Sequence, residues 1–321
     1  MQKPFVPWRC VTGYKMFNKI LEKFAKLLVV WVVLAALIGY FYPQLLTPLK
    51  PFTDWLFAFT MLGIGCLLSF KDFEPILKKP RLVVIGTLAQ FIIMPLLAVG
   101  IIKILGLAPA LAVGLILAAA VPDAMAAGVM SYLAEADVAF SVALTTATTL
   151  ISPVVTPALT WALGKEYIPI QLLPMMKSIM LMVILPLILG LLIQHKFHNR
   201  VSRIKPVFPA FSTLFIAFIC GLVVALNKEA LGKVTGLIFV AVISLNILGL
   251  ILGYLAGKSF KFSLPQRRTL AINVGMQNAG MGAVLAIKHI SAEAAIPNAL
   301  FATWCIVSAA VLAGIWSGKK E

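Results

Sequence analysis

Charge is what this 321-residue sequence has least of: 12% of its residues are Asp, Glu, Lys or Arg, against 61% apolar. Average soluble proteins carry roughly twice that charged fraction, so a water-soluble globule is excluded. Acids are scarcer still, 11 against 27 Lys and Arg. Asp123 alone lies deep in an apolar run, and the second carboxylate that aspartyl chemistry needs is missing. A buried Ser–His pair is also missing, because His195 and His198 share a basic loop and His289 ends an apolar stretch. Both absences argue against an enzyme. Cys10, Cys66, Cys220 and Cys305 are far apart, with neither metal-ligand spacing nor a disulfide framework. Sustained period-two alternation is absent, which argues against a membrane β-barrel. Residues 1–23 lack the apolar core and cleavage site of a signal peptide and read as a cytoplasmic N-terminal arm.

What the sequence does have is long apolar runs. A spanning helix needs roughly 20 apolar residues, and candidate spans lie at about 24–42, 52–70, 82–102, 108–133, 137–164, 169–194, 206–226, 233–257, 266–288 and 292–316. The expected fold is an all-α integral membrane protein of ten transmembrane helices. The net charge of +16 raises the question of nucleic acid, but its placement argues for lipid instead. Twenty of the 27 basic residues fall on the side shared by both termini and every second loop, among them Lys71, Lys78, Lys79, Arg81, Arg267 and Arg268. That is the positive-inside pattern of a plasma (inner) membrane protein with both termini cytoplasmic.

A shift of 156 residues superposes landmarks without a gap: Gln90 on Asn246, Pro109 on Pro265, Asp137 on Glu293, Phe52 on Phe208 and Phe59 on Phe215. Five spans per half is an odd number, so the second copy must run through the membrane in the opposite direction. The repeats are 24–164 and 165–321, an inverted pair of the kind secondary transporters use for alternating access.

The fourth span, "LAVGLILAAAVPDAMAAGVMSYLAEAD", holds Pro122 and Asp123 near its middle. The ninth holds "INVGMQNAGMG", with Asn273, Gln277 and Asn278 among three glycines. Pro122 removes a backbone donor, and the shift lays it on Asn278. Both fourth helices are therefore expected to be broken and to cross near the midplane. Broken turns in hydrocarbon leave backbone groups unpaired at a cost of several kcal/mol each, unless they line a polar cavity. Freed carbonyls suit a hard cation, half-helix N-termini suit an anion, and Gln90, Gln277 and Asn278 add side-chain oxygens.

"GMQNAG" (275–280), "AQFIIMP" (89–95) and "VMSYLAEADVAFSVALTTATTLISP" (129–153) carry a resemblance to the bile acid:sodium symporter family, in its bacterial branch. The resemblance runs from about residue 20 to 316. It implies a panel domain of spans 1, 2, 6 and 7, a core domain of spans 3–5 and 8–10, and symport of an organic anion with Na⁺. It implies a sodium cage of Gln90, Gln277 and the carbonyls of Val274 and Met276. It places the substrate at the crossing, against Asn278, Met125 and Ala126. A second sodium site of the family is altered here. Ser141 and Thr145 remain, but its Ser-Asn pair is Ala127-Gly128, its glutamate is Asn273, and the first glycine of its turn is Asp123. The negative charge is read as having moved from helix 9 to helix 4, where Asp123 either binds a cation or couples transport to H⁺. A cap on the second half of helix 4 is the structural alternative for Asp123. An ionised Asp123 is expected at the half-helix N-terminus, where it would repel an anionic substrate unless a cation neutralises it.

Elsewhere, Lys177 is expected to snorkel to the interface, Asp54 to cap the second span, and Glu135 and Asp137 to serve the start of the fifth. Ser152-Pro153 and Thr156-Pro157 suit a kinked fifth helix or close packing. The sequence carries no signal for an oligomeric state.

Overall fold

The computed structural model describes residues 20–21, 23–24, 27–231 and 236–317; the arm expected over 1–23 lies almost wholly outside them. Every regular element among the described residues is helical, apart from one isolated bridge between Asp123 and Gln277. Helices α1 (Leu28–Phe41) and α2 (Thr53–Leu67) come first, followed by α3 (Pro80–Leu105). Helix α4 is in two pieces, α4a (Pro109–Ala120) and α4b (Ala127–Leu133), and α5 (Val138–Gly164) follows. Helix α6 (Leu172–Lys196) contains a π turn at Met180–Ile184. Then come α7 (Val207–Leu226), α8 (Leu237–Ser259), α9a (Leu264–Gly275), α9b (Ala279–His289) and α10 (Ile296–Ser317).

Six of these, α3, α5, α6, α7, α8 and α10, are long and apolar enough to cross a membrane. A seventh is reached if α1 and the stretch Pro43–Leu67, bent by 109° to each other, count as one. The ten expected spans thus include four that fall short as single helices. α1 and α2 have 14 and 15 residues, and α4 and α9 are interrupted. Outward faces match a hydrocarbon surround: Val84, Leu88, Ile92 and Leu96 form an i, i+4 stripe along α3, each 52–62% exposed.

α1 packs along α7, and α2 along α6. Both crossings depend on glycine. A Cβ on Gly65 of α2 would lie 2.2 Å from the Leu187 carbonyl oxygen, and one on Gly221 of α7 would lie 2.6 Å from that of Ala35. Backbones approach this closely only where no side chain intervenes.

Helix ends follow local chemistry. Asp137 caps α5 as expected, its Oδ1 accepting from the Phe140 amide at 3.0 Å. Asp54 caps nothing. Its carboxylate instead pairs with Lys288 at the far end of α9b, because the connection brings the start of α2 against that helix. Lys177 is exposed on α6.

Candidate functional site

Pro122 ends α4a, and the glycine-rich stretch after Asn273 ends α9a. The two interruptions lie against each other. The Ala124 amide donates to the Met276 carbonyl at 2.8 Å, and the Asn278 amide donates to the Pro122 carbonyl at 2.8 Å. This reciprocal pair makes the short antiparallel bridge between Asp123 and Gln277. Two carbonyls at the ends of the first halves take side-chain donors. The Ala120 carbonyl accepts from Thr156 Oγ1 at 2.7 Å, and the Gly275 carbonyl from Asn246 Nδ2 at 2.7 Å. Asn278 caps α9b, accepting from the Met281 amide at 3.2 Å. A buried helix end needs such partners, because no water reaches it.

Around the α4 break, Asp123 is 1% exposed and turned toward α5. Its carboxylate accepts from Thr145 Oγ1 at 2.7 Å, from Thr148 Oγ1 and from Asn273 Nδ2. Ser141 Oγ in turn donates to Asn273 Oδ1 at 2.7 Å. Four of the expected residues, Asp123, Ser141, Thr145 and Asn273, therefore form one cluster. Ala127 and Gly128 begin α4b and offer no side-chain oxygen. Capping is not the role of Asp123: the N-cap of α4b is Ala126, with no side-chain bond. Nor does its carboxylate sit on the accessible face of the crossing. That face belongs to the partly exposed Met125, Ala126 and Asn278.

Around the α9 break, Gln90 Nε2 donates to Gln277 Oε1 at 2.7 Å, and Gln277 Nε2 donates to the Val274 carbonyl at 2.8 Å. The four expected cage residues thus sit together. Val274 and Met276 each already accept one hydrogen bond through their carbonyls, and each keeps a second lone pair. Gln90 Oε1 is buried with no hydrogen-bond partner. Neutral amide and carbonyl oxygens of this kind suit a hard cation of low charge.

Thr148 was not among the expected site residues, and Thr156 was read only as a kink or packing residue. The signal was present in the sequence: Thr145, Thr148, Thr149, Ser152, Thr156 and Thr160 recur at helical spacing along α5 and are all at most 5% exposed. His195 lies edge-on to Phe70, and no group of three or more His, Cys, Asp or Glu able to hold a metal occurs among the described residues.

Residues 55–234 match the Sodium Bile acid symporter family. The chain belongs to that family. It is 39% identical over 292 residues to a protein of Bacillus subtilis named an uncharacterized sodium-dependent transporter, YocS, covering 91% of each chain. It is 33% identical over 291 residues to a probable chloroplastic sodium/metabolite cotransporter of Arabidopsis thaliana, BASS1, covering 89% of this chain and 72% of that one. A probable sodium/metabolite cotransporter of Oryza sativa, BASS2, is 33% identical over 306 residues, with 94% and 73% covered. As a member of the symporter family the chain is a multi-pass membrane transporter, not an enzyme, and sodium is the ion its relatives are named for.

Proposed function

We propose that this protein is a secondary active symporter that carries an organic anion, bile-acid-like or a smaller carboxylate, with Na⁺ by alternating access. The observation that carries the proposal is the α9 break. Gln90 Oε1 stands there without a partner beside Gln277, within a turn whose backbone is interrupted and buried. The sodium ion would be held by Gln90, Gln277 and the carbonyls of Val274 and Met276. The substrate would bind the accessible face of the crossing at Met125, Ala126 and Asn278. With a single Na⁺ the symport of a monovalent anion moves no net charge, so the Na⁺ concentration gradient alone drives it, about 1.4 kcal/mol and tenfold accumulation for each tenfold gradient.

The proposed topology is ten spans in two inverted repeats, 24–164 and 165–321, in the plasma membrane with both termini cytoplasmic. Support comes from the reciprocal bridge between the breaks and from Gly65 and Gly221, which lie 156 residues apart and each sit at a close crossing. The moving parts would be a panel of α1, α2, α6 and α7 and a core of α3–α5 and α8–α10. Lys288 to Asp54, and His289 Nε2 to Ser178 Oγ at 2.8 Å, tie α9b to α2 and α6. Alternating access would have to release these contacts.

A second reading concerns Asp123. Its carboxylate receives three neutral donors and no ion pair among the described residues. It is the natural counter-charge for a further Na⁺ or for H⁺. The test is uptake of radiolabelled steroid acids and small carboxylates into proteoliposomes, with Na⁺ and pH gradients imposed separately. Uptake driven by Na⁺ alone supports the first reading. Uptake indifferent to Na⁺ and driven by pH replaces it with H⁺ coupling.

A further inference from the structure

We propose that Asn246 is a member of the cation site at the α9 break, the counterpart on α8 of Gln90 on α3; the proposal rests on reading that break as the sodium site. Asn246 is 0% exposed, and its Nδ2 donates to the Gly275 carbonyl, the last of α9a, at 2.7 Å. Gln90 approaches the same stretch from α3 and donates to Gln277. Each amide thus commits its donor to residues 275–277 and leaves its oxygen, Gln90 Oε1 or Asn246 Oδ1, buried with no partner.

The packing brings the two helices to the same place. A Cβ on Gly249, one turn past Asn246, would lie 2.6 Å from Met94 Sδ, one turn past Gln90, and 3.4 Å from Gly275 Cα. α3 and α8 therefore close on the residue whose carbonyl Asn246 holds.

Two stranded amide oxygens around one interrupted turn are costly in a hydrocarbon surround, where an apolar pair would pack without penalty. A cation is the partner that accepts oxygens from several elements at once. Every oxygen here is neutral, which suits a monovalent ion better than a divalent one that seeks carboxylates. Asn246 then has two tasks. It offers Oδ1, and it holds the end of α9a so that the neighbouring Val274 and Met276 carbonyls keep their directions.

The experiment is a sodium titration of the purified protein at constant ionic strength, with choline as the replacement ion. It reads ²²Na⁺ binding and, separately, the melting temperature without sodium. Asn246→Ala is expected to raise the half-saturating sodium concentration about tenfold or more, and Asn246→Asp, which keeps an oxygen and adds a charge, to lower it below the wild-type value at pH above the carboxylate's titration. If Asn246→Ala lowers the melting temperature but leaves half-saturation unchanged, Asn246 is only an interhelical tie and the proposal is overturned. Gln90→Ala separates the two layers. If it weakens binding while Asn246→Ala does not, the site stands without Asn246. If neither matters, the reading of the break itself has failed. Should Asn246→Ala not fold, Asn246→Asp decides alone: an added charge at a ligand position tightens sodium binding above the carboxylate's titration, and unchanged binding overturns the proposal.

Discussion

The interruptions in α4 and α9 are bonded to each other by a reciprocal pair of backbone hydrogen bonds, yet they are furnished from different sources. The α4 break is served by α5: Thr145 and Thr148 donate to Asp123, and Thr156 donates to the Ala120 carbonyl. The α9 break is served by α3 and α8, through the amides of Gln90 and Asn246. One side concentrates a buried acid with its donors satisfied. The other gathers neutral oxygens, two of them unpartnered. A strictly symmetric pair would have given each break the same partners. Side-chain chemistry sets the two breaks apart: a closed hydrogen-bonded cluster around Asp123 at the α4 break, and buried neutral oxygens without partners at the α9 break.

That division makes the two breaks respond differently to substitution. The largest effect is expected for Asp123→Leu, which removes the shared acceptor of Thr145, Thr148 and Asn273. Hydrogen bonds to a charged group are worth about 1.5–3 kcal/mol each, so the melting temperature in detergent should collapse or the protein fail to accumulate. Gln277→Leu, at the open side, should lose sodium binding while costing about 1–3 kcal/mol of stability for the Gln90 amide left without its acceptor. Thr148→Val keeps the shape and removes one donor to Asp123, for a loss of about 1.5–3 kcal/mol, read as a lower melting temperature with sodium half-saturation little changed. Thr156→Val strands the Ala120 carbonyl and should cost about 1–3 kcal/mol by the same measurement. The smallest effect belongs to the partly exposed Lys288–Asp54 pair. Asp54→Asn should change stability by less than about 1 kcal/mol, and a change in transport rate without a change in melting temperature would mark it as a gate contact. Equal losses of sodium binding from Thr148→Val and Gln277→Leu would erase the contrast between the breaks.

Much of this was legible in the sequence, for reasons tied to particular residues. Pro122 and the "GMQNAG" run announced both interruptions, because proline and clustered glycines and amides have no cheap place inside a lipid-facing helix. Gln90 and Gln277 came together as expected. The altered sodium site was read down to Ser141, Thr145 and Asn273, but Thr148 was not. A threonine on an apolar helix is ordinarily satisfied by its own backbone, and Thr148 indeed also contacts the Leu144 carbonyl at 3.0 Å. Asp54 misled because an acid in the first turn of a helix fits the N-terminal dipole as well as it fits a distant lysine. The direction in which Asp123 points depends on where α5 packs, which no local pattern encodes. Asn246 was visible as a lone amide, but its attachment to the Gly275 carbonyl is a contact across 29 residues.

The most direct test of the central claim, that sodium sits at the α9 break, is equilibrium ²²Na⁺ binding to purified Gln277→Ala and Asp123→Asn proteins beside the wild type. The account predicts saturable binding that survives in Asp123→Asn and is lost in Gln277→Ala. Binding that is lost in Asp123→Asn and untouched in Gln277→Ala would place the ion in the α4 cluster and contradict it.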